Sequence, residues 1–232
     1  MLCWIFLGLG IVTTCVFLYK RDSNGSRMAL LLKTAASLMF ITTAVVAIYY
    51  NRGDMRYGLM IVMGLVLGML GDIWLDLKWI YPNDIKYFLY GGFIFFLLGH
   101  LCFTSAVVLI NEMPIKEFLL CFIPPVLIAI GVQLCAKPLK LDFTGYKFIS
   151  SLYGAFLAMT VSVSARSAIA SGGATSQVVM TAGAALFFLS DFVLSGTYFG
   201  QGKNSKPYVV LNHILYYSGQ FMIAMSVFFC GK

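Results

Sequence analysis

The sequence predicts an all-α polytopic membrane bundle of about eight transmembrane helices, and three observations carry that prediction. First, 60% of the 232 residues are hydrophobic and only 11% are charged. A water-soluble domain needs a charged surface on every side, and so few charges cannot supply one. Second, the apolar residues gather into runs of roughly 17–25, the length that crosses a hydrocarbon core about 30 Å thick. Third, short connections rich in turn formers separate the runs: Asp22-Ser23-Asn24-Gly25-Ser26, Pro82-Asn83-Asp84, Ser171-Gly172-Gly173 and Gly202-Lys203-Asn204.

The first run, 2–18, has no charged segment before it and so reads as a span rather than a cleaved signal peptide. The next three are 28–50, 57–75 and 87–109. The fifth, 118–133, contains Pro124-Pro125 and is expected to kink there. The last three are 146–163, 178–194 and 208–229. No linker is long enough to divide the chain, so residues 1–232 read as a single transmembrane domain. The cysteines, Cys3, Cys15, Cys102, Cys121, Cys135 and Cys230, lie in or beside apolar runs without a CxxC pair and read as packing residues.

Net charge is +7. Lys20, Arg21, Arg27, Lys78, Lys86, Lys137, Lys140, Lys147, Lys203 and Lys206 fall on one side of the predicted topology. Arg52, Arg56, Lys116, Arg166 and Lys232 fall on the other. Cytosolic loops carry the excess of Lys and Arg, so both termini are expected outside the cytosol. These cations suit anionic headgroups; no basic run with interleaved aromatics points to nucleic acid.

A charge in hydrocarbon costs about 2.5–3.5 kcal/mol on insertion scales. Lys33, Asp72, His100, Asp191 and His213 nevertheless lie inside the runs, with Asp76 just past the end of the third. At about 1.5 Å per residue, Asp72 and Asp191 both fall roughly 8–10 Å inside the cytosolic boundary, and Lys33, Tyr153 and His213 share that layer. His100 is deeper, near 20 Å. His213, Tyr217 and Gln220 form one stripe at i, i+4 and i+7. The segments Gly71-Asp72-Ile73-Trp74-Leu75 and Ser190-Asp191-Phe192-Val193-Leu194, four spans apart, hint at a weak 4+4 parallel repeat. Simpler readings exist: Lys33 can snorkel to the headgroups, and His213 or His100 can tie helices together.

The pattern excludes several chemistries. Two histidines on separate spans make no zinc motif. The surroundings of Asp72 and Asp191 lack the GxGD signature of intramembrane aspartyl proteases. No GxSxG, P-loop or GxGxxG is present. Two carboxylates in a low-dielectric site suit acid chemistry without metal or cofactor, one donating a proton and the other facing a developing cation, as in glycosidases.

Six blocks, in this order and spacing, resemble the YhhN-like membrane lysoplasmalogenases: Leu32-Lys33, Leu70-Gly71-Asp72, Gly99-His100-Leu101-Cys102-Phe103, Leu152-Tyr153-Gly154, Leu186-Phe187-Phe188-Leu189-Ser190-Asp191 and Tyr216-Tyr217-Ser218-Gly219-Gln220. Thr34 stands where that family often has proline. The resemblance implies hydrolysis of the vinyl-ether bond of lysoplasmalogens to a fatty aldehyde and glycerophospho-ethanolamine or -choline. Asp72 and Asp191 are then the expected catalytic pair, and Lys33, His100, Tyr153, His213, Tyr217 and Gln220 the expected substrate contacts. Partners are the lysophospholipid and membrane lipid. The alternative is a transporter or lipid-binding protein that uses the two aspartates as proton or cation sites.

Overall fold

In a computed structural model, which describes residues 2–21, 25–51, 54–200 and 204–230, the chain is built from α-helices. Among the described residues these are α1 (Leu2–Lys20), α2 (Arg27–Asn51), α3 (Met55–Ile80), α4 (Ile85–Ile110), α5 (Ile115–Leu120), α6 (Ile123–Cys135), α7 (Lys147–Ala170), α8 (Thr175–Phe199) and α9 (Lys206–Phe229). The turn residues Asp22, Ser23, Asn24 and Gly202 lie outside the described residues, as do the loop cations Arg52, Lys203 and Lys232 and the Cys135 side chain.

Seven stretches are long and apolar enough to cross a membrane: α1 to α4, the α5–α6 stretch, α7 and α8. The protein is therefore a multi-pass membrane bundle. The eighth expected span, α9, is of similar length, but Asn212, His213, Tyr216, Tyr217, Gln220 and Ser226 reduce its apolarity. All six are buried, because α9 packs against α1, α2, α3 and α8.

Two boundaries differ from the sequence reading. The fifth span is not one kinked helix: α5 ends at Leu120, and a second helix starts at Ile123 with prolines in its first turn, where a missing N–H costs nothing. The third helix continues past Leu75 to Ile80, so Asp76 is inside it and buried. Its first turn is capped by the Asp54 carboxylate, which accepts from Tyr57 N at 3.0 Å.

Helices α2, α3, α4, α7, α8 and α9 close a ring, each packed on the next. α1 leans on α2 and α9, while α6 leans on α7. This order repeats itself: α1–α2–α3–α4 pack on one another as the α6–α7–α8–α9 series does, and the halves join through α4–α7 and α9–α2. The closest crossings repeat as well. A Cβ on Gly99 would lie 3.0 Å from Gly64 O, and one on Gly219 would lie 2.8 Å from Gly183 O. Only glycine lets the helices approach so closely. Gly64 precedes Asp72, and Gly183 precedes Asp191, by the same eight residues. The 4+4 repeat hinted at by two short segments is thus carried by the packing.

Candidate functional site

The crossings set α3 and α8 in the ring so that Asp72 and Asp191 line one polar pocket, together with Arg21, Lys33, Asp76, His213, Tyr216 and others. The pocket lies toward the end of the bundle where α1 and α3 finish and where Asn204 precedes α9. It is narrow, about 30 Å³, with room inside for a water molecule or two.

Among the described residues, the hydrogen-bond and ion-pair partners of the Asp72 carboxylate are all donors. Lys33 Nζ lies 3.0 Å from Oδ1. Oδ2 accepts from Tyr216 Oη at 2.7 Å and from Ser37 Oγ at 3.2 Å. Tyr216 Oη in turn accepts from Gln220 Nε2 at 3.0 Å, which commits its own proton to Asp72. One turn further along α3, Asp76 takes two bonds from the Arg21 guanidinium, each 3.2 Å, and lies 3.7 Å from Lys33 Nζ. Lys33 therefore does not snorkel: it is 5% exposed and shared between two carboxylates. Burying one of these charges alone costs several kcal/mol, so the pairs are conditions of the fold.

Asp191 differs. No cation lies within ion-pair distance of it among the described residues. Tyr153 Oη donates to its Oδ2. Ser190 Oγ lies 3.1 Å from its Oδ1 but only 2.7 Å from Phe187 O, a carbonyl that can only accept. The single Ser190 proton is best given to that carbonyl, which leaves a lone pair facing Asp191 Oδ1. Beyond Asp191 opens a second cavity, of about 360 Å³, lined largely by apolar side chains including Phe93, Val132, Leu157, Phe188 and Phe199. The two cavities meet at Asp191, Leu194 and Tyr198.

Residues 28–227, from the first turn of α2 to the last of α9, match a family model described as the YhhN family. The chain belongs to the YhhN family. Comparison with curated proteins and with solved structures gives no match.

Of the residues expected at the site of this YhhN-family protein, Lys33, Asp72, Asp191 and His213 line the polar pocket and Tyr153 lines the apolar one. His213 Nδ1 is held by Val209 O at 2.7 Å, which fixes the ring. Three expected contacts line neither of these cavities. His100 is 4.7 Å from the Phe187 ring, with Nδ1 3.0 Å from Thr160 Oγ1. Tyr217 donates to Lys33 O and meets the Phe17 and Phe40 rings. Gln220 acts through Tyr216. The site also holds residues not singled out for it: Arg21, Ser37 and Tyr216. Helical spacing could have indicated Tyr216, which lies three residues after His213 and four before Gln220. Nothing local marks Arg21, which follows the end of α1.

Proposed function

We propose that this protein is a lysoplasmalogenase-like hydrolase that cleaves the vinyl-ether bond of a single-chain phospholipid. YhhN membership is consistent with that activity, and the resemblance to membrane lysoplasmalogenases implies it. The observation that carries the reading is the meeting of a polar, two-carboxylate pocket with an apolar cavity at Asp191. An amphiphile with its cleavable bond between chain and glycerol suits that division: chain in the apolar cavity, glycerol toward the polar one.

The hydrogen bonds support distinct roles. Asp191 is the acid: a proton on Oδ1 has the Ser190 lone pair to rest on while Tyr153 bonds Oδ2. Asp72, surrounded by donors, is the standing carboxylate. The Asp191 proton passes to the vinyl carbon distal to the ether oxygen, and the adjacent carbon becomes an oxocarbenium ion. That cation forms beside two carboxylates, since Asp191 becomes charged in the same step. A water from the polar pocket adds to the cation and gives a proton back to Asp191. The resulting hemiacetal transfers its hydroxyl proton to the ether oxygen and collapses to the aldehyde and the glycerophospho-alcohol. No step calls for a metal or a cofactor.

The alternative, a transporter with protonatable aspartates, draws on the parallel repeat and the position of the site between its halves. One experiment separates the two: purified, monodisperse protein is given lysoplasmalogens with ethanolamine or choline headgroups. Fatty aldehyde released in equal amount with the glycerophospho-alcohol is the expected result. No aldehyde from either lipid overturns the hydrolase reading.

A further inference from the structure

The polar pocket has a cationic rim that the carboxylates do not use up. Arg21, at 4% exposure, spends its two terminal nitrogens on Asp76. Its Nε–H is buried with no hydrogen-bond partner among the described residues, and so is the indole N–H of Trp79. Both side chains line the pocket. They meet at Gly25, where an added Cβ would lie 2.6 Å from Trp79 Cδ1 and 3.0 Å from Arg21 Nη1. Beside them the Lys78 ammonium is buried without an ion-pair partner among the described residues. It rests 3.0 Å from the centroid of the Tyr198 ring, another wall of the pocket, and 5.1 Å from that of Trp79. A buried donor left unsatisfied is costly, so the two orphan N–H groups in the pocket wall call for an acceptor.

Inside the pocket Arg21 and Lys33 are already matched by Asp72 and Asp76, and Lys78, against the Tyr198 wall, has no carboxylate within ion-pair distance among the described residues. A ligand group with one negative charge and several acceptor oxygens would pair with Lys78 and bond both orphan donors. Arg, Lys and indole N–H together suit phosphate. Lys78 and Trp79 follow Asp72 by six and seven residues on α3, about 9–10 Å nearer the helix end. That places the rim where the headgroup lies when the bond to be broken is level with the aspartates.

Resting on the hydrolase reading for its ligand, we infer that Arg21, Lys78 and Trp79 form a phosphate subsite for the lipid headgroup at the outer mouth of the polar pocket. Lys33, engaged by Asp72 and Asp76, is not part of it. The subsite makes the protein selective for phospho-lipids over neutral glycerol ethers with the same chain.

The test is a binding measurement that needs no turnover. Protein in a maltoside detergent, which carries no phosphate, is titrated with three probes: a 1-O-alkyl lysophosphatidylethanolamine, the matching 1-O-alkylglycerol, and inorganic phosphate. The saturated ether is no substrate for enol-ether protonation, so the result is independent of the aldehyde assay that decides the hydrolase reading. Wild type is expected to prefer the phospholipid over the alkylglycerol by roughly tenfold or more, from charge-assisted bonds to phosphate. Trp79→Phe, which removes the indole N–H together with the ring that carries it, and Lys78→Gln are each expected to reduce the preference several-fold. The double variant should abolish it, with the melting temperature of the lipid-free protein retained. An equal preference in wild type and both single variants overturns the subsite, as does no preference in wild type. Inorganic phosphate binding as tightly as the phospholipid overturns the headgroup assignment in favour of a site for free phosphate.

Discussion

Replacing Asp191 by asparagine separates chemistry from folding at this site. The amide is nearly isosteric, and its hydrogen bonds can all be made in the existing surroundings. The side-chain oxygen takes the bond from Tyr153, and the NH₂ faces the Ser190 lone pair that Asp191 Oδ1 faces now. With no ion pair to break, the stability change should stay within about 1 kcal/mol. The catalytic loss should be large. An amide has no carboxylic proton to give to carbon, and it does not become an anion beside the oxocarbenium ion. Loss of general acid catalysis alone is typically about 10²–10⁴-fold, or about 3–5 kcal/mol in the barrier at 25 °C. The assay is aldehyde release from lysoplasmalogen by matched amounts of monodisperse protein, with thermal unfolding followed in parallel. Activity within tenfold of wild type would refute the role of Asp191 as acid. A variant that fails to fold would refute the hydrogen-bond assignment on which the role rests.

Lys33→Met leaves the Asp72 charge without its nearest cation and should cost about 3–5 kcal/mol; adding Asp72→Asn should recover part of that loss, measurable as non-additive melting temperatures. Gly183→Leu sets a Cβ 2.9 Å from Gly219 O and drives α8 from α9, so unfolding should come at markedly lower temperature and aldehyde release should fall with it. Gly154→Leu, where an added Cβ meets nothing nearer than 3.9 Å, should fold at least as well as wild type. It should narrow the apolar cavity, so that KM rises for long alkenyl chains and not for short ones. For the orientation expected from loop charge, cysteines placed at Ser26 and Lys140 should react with an impermeant thiol reagent from the cytosolic face only.

The fold and the two carboxylates were legible in the sequence because hydrocarbon is an exacting solvent: apolar runs and the charges that interrupt them are both visible without a structure. Which charges pair was not legible, since pairing depends on helix rotation and on contacts between distant segments. The reading ended the third span at Leu75 because Asp76-Leu77-Lys78 looks like the start of a loop. In the structure Asp76 is buried by Arg21, from the end of another helix, so a charge there does not mark a boundary. Spacing on α9 drew attention to Tyr217, but Phe17 of α1 holds that side of the helix, and Tyr216 is the residue that reaches Asp72. His100 shows the same limit. Its depth set it among functional residues, while its neighbours, Thr160 on α7 and Phe187 on α8, depended on helix rotation and were not readable from depth.

The repeat explains why two aspartates face one pocket and also why they differ. Matched crossings at Gly64–Gly99 and Gly183–Gly219 carry Asp72 and Asp191 to equivalent places in the two halves. Two ionised carboxylates sharing a buried pocket repel each other, and acid chemistry needs one of them neutral. The difference lies at one further pair of equivalent positions. Lys33 is the seventh residue of α2, and Tyr153 is the seventh of α7, the helix that takes the place of α2 in the other half. Each reaches the aspartate of its own half, one with an ammonium and the other with a phenol. The ammonium holds a charge on Asp72. The phenol bonds Asp191 without asking for charge, and Ser190 leaves a lone pair for the proton. On this view the acid and the anion of the proposed reaction are made from one duplicated carboxylate by a difference in the partner, lysine in one half and tyrosine in the other.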